Sequence, residues 1–279
     1  MINFNQQILP KKQFKLNLNN RAFKYGDGIF DTLKYAKGRI NFLEDHYFRL
    51  MSSMRMLRMK IPMNFTLKFY KDEIIKTIQA NGLLESSRVR VSIFRKEGGL
   101  YAPVNKGVDM LIEANELIKK PYDHYEIELY KDMPVYSGIL SNIKTNNRII
   151  NVVASIFASE FNYQNCVLIN EKKNIVEANN ANIFLIKGNN VFTPALTEGC
   201  IDGILRKKII EMIDKNSSFN IIETEISPFE LLKSDEVFIS NSIIEIQSVT
   251  KYRKKNYAIE KTQEIIKMLK IFTLLNGHN

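Results

Sequence analysis

Hydrophobic and polar positions along this chain follow two rhythms. Ile2-Asn3-Phe4 and Phe14-Lys15-Leu16-Asn17-Leu18 repeat every second residue, which predicts half-buried strands. Ile29 to Tyr35 reads as another strand, closed by a turn at Lys37-Gly38. From Leu43 to Met59 the period lengthens, and Leu43, Tyr47, Leu50, Met51, Met54 and Leu57 fall on one stripe of a helix. Asp72 to Asn81 predicts a second helix, stopped at Gly82. Arg88 to Phe94 and Val108 to Ala114 are strand-like and flank a loop containing Gly98-Gly99. The polar stretch Asn115 to Asp123, with Lys119-Lys120-Pro121, interrupts the pattern and marks a connection between domains.

The second half restarts with a strand from Tyr125 to Asp132. Asn146 to Glu160 predicts a helix carrying Ile149, Ile150, Val153, Ile156 and Phe157. Strands follow at Asn165 to Asn170, Ile183 to Ile186 and Val191 to Pro194, then a helix from Ile204 to Ile213 entered through Gly203. Val237 to Asn241 is a short apolar strand running into Ser242, and Glu260 to Leu275 is a last amphipathic helix. No internal repeat is visible. Strand runs mixed with separate helices predict a mixed α/β (α+β) protein of two domains: 1–117, a linker over 118–124, and a larger domain over 125–279.

Composition narrows the class. The chain has 279 residues, 45% of them hydrophobic, enough for a substantial core. The net charge of +10 is spread along the sequence, with only short clusters such as Lys251 to Lys255. It accompanies no zinc-finger spacing and no aromatic-studded RNA motif, so no nucleic-acid partner is expected. The same charge attracts anionic substrates and a phosphorylated cofactor. No apolar run reaches the roughly 18 residues of a membrane span, and Met1 to Leu18 lacks the apolar stretch of a signal peptide. The two cysteines, Cys166 and Cys200, do not form a disulfide framework, which fits a cytoplasmic protein. The histidines His46, His124 and His278 are scattered, so no metal site is expected.

Three segments carry candidate chemistry: Ser141-Asn142-Ile143-Lys144-Thr145-Asn146-Asn147-Arg148, Val176-Glu177-Ala178-Asn179-Asn180-Ala181-Asn182-Ile183-Phe184, and Gly199-Cys200-Ile201-Asp202-Gly203-Ile204-Leu205-Arg206. They supply an amine, a carboxylate and a glycine-flanked helix start. Those are the needs of an enzyme using pyridoxal 5'-phosphate: a lysine for the Schiff base, an acid for the pyridine nitrogen, and backbone donors for the phosphate. Upstream stand Asn20-Arg21-Ala22-Phe23-Lys24-Tyr25-Gly26-Asp27-Gly28-Ile29-Phe30-Asp31-Thr32 and His46-Tyr47-Phe48-Arg49-Leu50.

With these motifs in this order, Asn20 to about Val249 resembles the class IV aminotransferase family, the fold-type IV group of pyridoxal phosphate enzymes. The family includes branched-chain aminotransferases, D-amino acid transaminases and 4-amino-4-deoxychorismate lyases. The resemblance implies a smaller N-terminal α/β domain, a larger C-terminal mixed-sheet domain, the cofactor between them, and a homodimer. It assigns Lys144 to the Schiff base and proton transfer, Glu177 to the ring nitrogen, and Arg49 to the phosphate. It also assigns Gly203, Ile204 and Leu205 to a phosphate-binding turn, with Leu205 where many relatives carry threonine, and Ser242 to a second phosphate contact. Phe30, Arg90, Arg95, Arg148 and Asn241 are candidate substrate contacts. Arg90 matches an arginine of branched-chain enzymes, whereas the loop Glu97-Gly98-Gly99-Leu100-Tyr101-Ala102-Pro103 lacks the Arg-x-His pair of D-amino acid transaminases. The resemblance therefore implies amino transfer between an apolar or branched-chain L-amino acid and a 2-oxo acid. The alternative is a lyase releasing pyruvate and 4-aminobenzoate from 4-amino-4-deoxychorismate, toward which Leu205, Asn241 and the Lys144…Arg148 spacing lean.

Overall fold

A computed structural model describes residues 1–118, 122–215 and 218–276. Lys119-Lys120-Pro121 of the expected linker, and His278, lie outside the described residues. The described chain divides into two compact units, 1–118 with 144–147, and 122–143 with 148–276.

The first unit contains strands β1 (Ile2–Phe4), β2 (Gln7–Leu9), β3 (Gly28–Ala36), β4 (Arg39–Ile40), β5 (Ser86–Arg95) and β6 (Val108–Glu116), and helices α1 (Arg21–Tyr25), α2 (Leu43–Met56) and α3 (Leu67–Ala80). The strands form one antiparallel sheet in the order β2-β1-β6-β5-β3-β4. Its long central ladder runs from Gly28↔Phe94 to Ala36↔Ser86. Strand alternation sends Ile29, Leu33, Val89, Val91 and Ile93 to one buried face, on which α2 and α3 pack. Of the predicted α2 stripe, Leu43, Tyr47, Leu50 and Met54 are buried, and Met51 and Leu57 are half-buried. Helix α3 begins earlier than Asp72, because the Thr66 side chain caps it by accepting from the Phe69 N–H at 3.1 Å.

One predicted strand is absent. Residues 14–18 form no strand among the described residues; β1 turns through Asn5 and Gln6, both at positive φ, and pairs instead with β2. Pro10 follows β2 and has no N–H to continue a ladder. Leu16 and Leu18 are exposed, and the Phe14 ring meets Phe4 edge-on at 5.1 Å.

The second unit contains β7 (Glu126–Val135), β8 (Asn165–Asn170), β9 (Ile175–Ala178), β10 (Asn182–Lys187), β11 (Asn190–Pro194), β12 (Asn220–Thr224), β13 (Glu236–Asn241), β14 (Glu245–Val249), β15 (Lys251–Tyr252) and β16 (Lys255–Asn256), with helices α4 (Ile149–Glu160), α5 (Ile204–Asp214), α6 (Phe229–Lys233) and α7 (Glu260–Asn276). Two five-stranded sheets result, β12-β11-β10-β13-β14 and β16-β15-β7-β8-β9. Both are mixed, since β7 runs parallel to β8 and β15, and β11 parallel to β12. They share a core that includes Ile127, Val167, Ile183, Leu185, Val237 and Ile239, so burial of apolar surface joins sheet to sheet. The chain is thus a mixed α/β protein, as its alternating patterns predict.

Helix α4 starts at Ile149, not at Asn146, and Arg148 stands at its N-cap with φ −123° and ψ 31°. The reason lies in the preceding residues, which are extended and bridge to β3 of the first unit: Thr145 faces Ile29, and the Asn146 N–H donates to the Gly28 carbonyl at 2.9 Å. Gly28 permits this approach, because a Cβ there would lie 2.6 Å from Asn146 Nδ2. Residues 144–147 therefore group with the first unit, although they fall within the sequence range expected for the second domain.

Candidate active site

In the first unit, β3 fixes Lys144 through its main chain: the Phe30 N–H donates to the Lys144 carbonyl at 2.9 Å. The Lys144 Nζ then lies 4.9 Å from the centre of the Phe30 ring. The Arg90 guanidinium sits 3.7 Å from the same ring, and its Nε donates to Ser92 Oγ at 3.3 Å. Phe30 pairs with Ser92 and Thr32 with Arg90, so Phe30 and Arg90 are diagonal neighbours on one sheet face. Burial, and then the neighbouring Arg88, lower Arg90 from its ordinary range, while Glu113 opposes them. The structure therefore brings Lys144, Phe30 and Arg90 together: an amine, an aromatic wall and a cation.

On the opposite, helix-covered face, β3 places Asp31 beside α2. Its Oδ2 lies 3.0 Å from His46 Nδ1, and its Oδ1 pairs with the Arg49 guanidinium and accepts from the Thr32 N–H at 2.6 Å. Burial alone would raise Asp31; Arg49, then His46, outweigh it and hold the carboxyl well below the ordinary value.

Arg95 differs from the sequence expectation of a substrate contact. It is 7% exposed, its Nε donates to Asp27 at 2.9 Å, and its terminal nitrogens donate to the carbonyls of Leu57 at 2.7 Å and Arg58 at 3.3 Å. Those contacts commit it to protein oxygens and make it a structural residue. Asp27 also accepts from Arg21 Nε at 2.8 Å, and the rest of the Arg21 guanidinium donates to the carbonyls of Gly98, Gly99, Leu100 and Tyr101. One acid and two arginines thus pin the loop after β5.

These pairs predict acid sensitivity. Burial raises Asp27, but hydrogen bonds and charge from Arg95 and Arg21 leave it below its ordinary 3.8. A carboxylate depressed in the folded state contributes stability that is full above that ordinary value and is lost as pH falls below it. Thermal midpoints of the wild type should fall below pH 3.8, and less steeply in Asp27→Asn; parallel pH profiles would contradict the assignment.

In the second unit, Glu177 lies on β9, 6% exposed, and its Oε2 accepts from the Ile201 N–H at 2.9 Å. The Ile201 carbonyl in turn accepts from Asn182 Nδ2 at 2.9 Å, so the main chain of one residue is held on both sides. Asn142 holds the same turn. Its Nδ2 donates to the carbonyls of Leu196 at 2.9 Å and Cys200 at 2.7 Å, and its own carbonyl accepts from the Asp202 N–H at 3.3 Å. The turn delivers the chain to Gly203, the N-cap of α5, where the first helical N–H groups lack intrahelical partners. Leu205 is buried and apolar, so an anion at this helix start would meet backbone donors and not that side chain.

Gly203 is required by close approach. A Cβ there would lie 2.1 Å from Asn182 Oδ1. Gly203→Ala should displace Asn182, break its bond to Ile201 and destabilise the fold by about 1–3 kcal/mol, the usual range for overpacking. Gly138, with open space around its Cβ position, is the control. Equal unfolding midpoints for Gly203→Ala and Gly138→Ala would contradict this.

Asn241 and Arg148, the other expected substrate contacts, each bond to the protein's own main chain. Asn241 Nδ2 donates to the Asn180 carbonyl at 3.0 Å, and its Oδ1 accepts from the N–H groups of Ile243 and Ile244 at 2.9 Å each. It shapes the turn that carries Ser242. Arg148 donates to the Ile143 carbonyl at 2.7 Å, at the entry to α4. Cys166 and Cys200 are buried thiols, each pushed up to about 12 chiefly by burial, so neither acts as a nucleophile near neutral pH. Sequence reasoning missed Asp31, Asn142 and Asn182; the last two act on backbone groups far away in the chain, and no local pattern announces them.

The family described as Amino-transferase class IV matches residues 28–252, and the chain belongs to that family. It is 26% identical over 255 residues to branched-chain-amino-acid aminotransferase-like protein 2 of Arabidopsis thaliana, covering 88% of this chain and 44% of that protein, so it spans less than half of that relative's length. It is also 26% identical over 249 residues to the aminodeoxychorismate lyase of Vibrio harveyi, covering 85% of this chain and 88% of that protein. A branched-chain aminotransferase from Thermoproteus uzoniensis, solved with norvaline, shares the fold with a TM-score of 0.88 at 19% identity, over 99% of this chain and 95% of that one.

Enzymes of this family use pyridoxal phosphate. The residues fit the cofactor. Lys144 offers an amine beside an aromatic ring, Glu177 is a buried carboxylate, and Gly203 opens a helix start at a position that no Cβ could occupy. Among the described residues, no helix is long and apolar enough to cross a membrane.

Proposed function

We propose that the chain is an aminotransferase moving an amino group between an apolar, branched-chain L-amino acid and a 2-oxo acid. The observation that carries this reading is the Lys144–Phe30–Arg90 patch. Arg90 offers a planar cation for the substrate carboxylate, and Phe30 offers an apolar surface. When bound, the cofactor supplies an electron sink for the pair left at the substrate Cα. Lys144 would hold the cofactor through its amine, and the same amine would serve as the base and acid for the substrate Cα proton. Glu177, oriented by the Ile201 N–H, keeps the ring nitrogen protonated. Arg49, the N–H groups of Ile204 and Leu205, and Ser242 hold the phosphate.

A second reading is elimination of pyruvate from 4-amino-4-deoxychorismate. The Asn147-Arg148 pair and Leu205 favour it, and the Vibrio relative carries that name. Asn241 does not add to it, since its amide nitrogen is engaged by the distant Asn180 carbonyl and its amide oxygen by the turn that follows it. Titrating the cofactor-loaded protein with L- and D-amino acids separates the two. Loss of its visible absorbance with a branched-chain L-amino acid, reversed by a 2-oxo acid, supports amino transfer. Inertness to amino acids with release of 4-aminobenzoate from aminodeoxychorismate overturns it.

We further propose a homodimer. Ile149, Val152 and Ile156 recur on one face of α4, 62%, 52% and 51% exposed, and a second copy would cover them. Sedimentation of the cofactor-loaded chain measures this directly.

A further inference from the structure

We propose that Asp31, itself held by His46, is a positioning residue that aims the Arg49 guanidinium at the cofactor phosphate. The inference rests on the reading of Arg49 as a phosphate ligand and extends it to residues whose roles lie elsewhere than in contact with the cofactor.

Asp31 is out of place as a packing choice. The positions beside it on the same face of β3, Ile29 and Leu33, are apolar and fully buried, and Asp31 is only 1% exposed. A carboxylate in such a place is tolerated only when its oxygens are matched by donors. Here they are, by the Thr32 N–H and Arg49 on one oxygen and by His46 on the other. The ionised carboxylate has no proton to give, so the proton of the His46 contact resides on Nδ1, and His46 donates. His46 and Arg49 are three residues apart on α2 and so project from one helical face onto the same acid. Tyr70 of α3 packs against the group with a buried hydroxyl and feels the charges of both Asp31 and Arg49. An arginine has many rotamers; a fixed acid on one end of its planar fork sets the direction in which the remaining donors face.

Three possible roles for Asp31 give different signs. As a bystander charge it would weaken the attraction of Arg49 for phosphate, so Asp31→Asn would tighten binding. As a mere support for the fold, it would affect pyridoxal and pyridoxal phosphate alike. As a positioning residue, its loss weakens pyridoxal phosphate and spares pyridoxal.

The experiment is an absorbance titration of apoprotein with each compound, giving the ratio of their dissociation constants. Asp31→Asn should reduce the preference for the phosphorylated compound by about tenfold or more, the scale of one charge-assisted hydrogen bond. Asp31→Asn in the Arg49→Ala background should change the ratio no further. His46→Ala should lower the preference, and His46→Asn should restore it, because the asparagine amide nitrogen overlies Nδ1. An unchanged ratio, or tighter binding of pyridoxal phosphate, in folded Asp31→Asn overturns the proposal. If that variant fails to fold, an unchanged ratio in His46→Ala does the same. A wild type that binds neither compound, or an Arg49→Ala variant with an undiminished preference, refutes the underlying cofactor reading instead.

Discussion

Lys144→Ala should abolish turnover and the visible absorbance of the cofactor-loaded protein while leaving the fold intact. The link between this residue and the sheet is its main chain, which accepts from the Phe30 N–H at 2.9 Å and survives the substitution. The side chain is only half-buried, so its removal opens no core cavity. What disappears is the amine proposed to anchor the cofactor and to move the Cα proton. Positioned acid–base catalysis alone contributes about 10²–10⁴-fold, and loss of the covalent anchor adds to that. Spectra, circular dichroism and single-turnover rates on the variant are the check; a yellow, active Lys144→Ala protein would sink the mechanism.

Glu177→Gln should separate catalysis from stability. The glutamine has the same shape and its amide oxygen can still accept from the Ile201 N–H, the bond that Glu177 makes at 2.9 Å. Unfolding free energy should therefore change by no more than about 1 kcal/mol. The second role proposed for it, a negative charge that keeps a proton on the pyridine nitrogen, is lost. A hydrogen bond to a charged group contributes about 1.5–3 kcal/mol, which at 1.36 kcal/mol per tenfold predicts a fall in kcat of about 10- to 150-fold. Denaturant titration and steady-state kinetics on the same preparation decide it. A variant that loses stability and activity in step would show Glu177 to be a structural acid.

Much of the frame was legible because it rests on local periodicity. The α2 stripe, the β3 and β5 strands and the α5 helix entered at Gly203 each repeat a pattern that a short window contains. The failures share one cause, competition from a distant partner. Residues 14–18 alternate like a strand, yet the position beside β1 is taken by β2. Asn146 and Asn147 precede an apolar helical run, yet extended pairing at Thr145 delays the helix to Ile149. Strand β12, with Asn220 and Glu223 exposed, has too few apolar positions to announce itself, and it forms because β11 offers a parallel edge. The candidate site divides in the same way. The reactive types, Lys144, Glu177 and Arg49, stand out by motif. The residues that orient them do not: Asn142 bonds to carbonyls 54 and 58 positions away, and Asp31 looks like an ordinary polar residue in a strand.

The short tongue at 144–147 gives the chain an unusual thread. Among the described residues the polypeptide passes from one unit to the other not once but three times, between 118 and 122, at 143–144 and at 147–148. Neither stretch of gene on either side of the first crossing therefore encodes a self-contained unit. Cutting the chain there would leave two fragments still laced by the main-chain bonds between β3 and residues 144–146. The first fragment alone would hold Phe30 and Arg90 but lack the amine, and the second would carry the amine on a strand with nothing to pair with. Each half would be chemically silent, and co-expression of the two would be the natural way to recover the enzyme from its pieces.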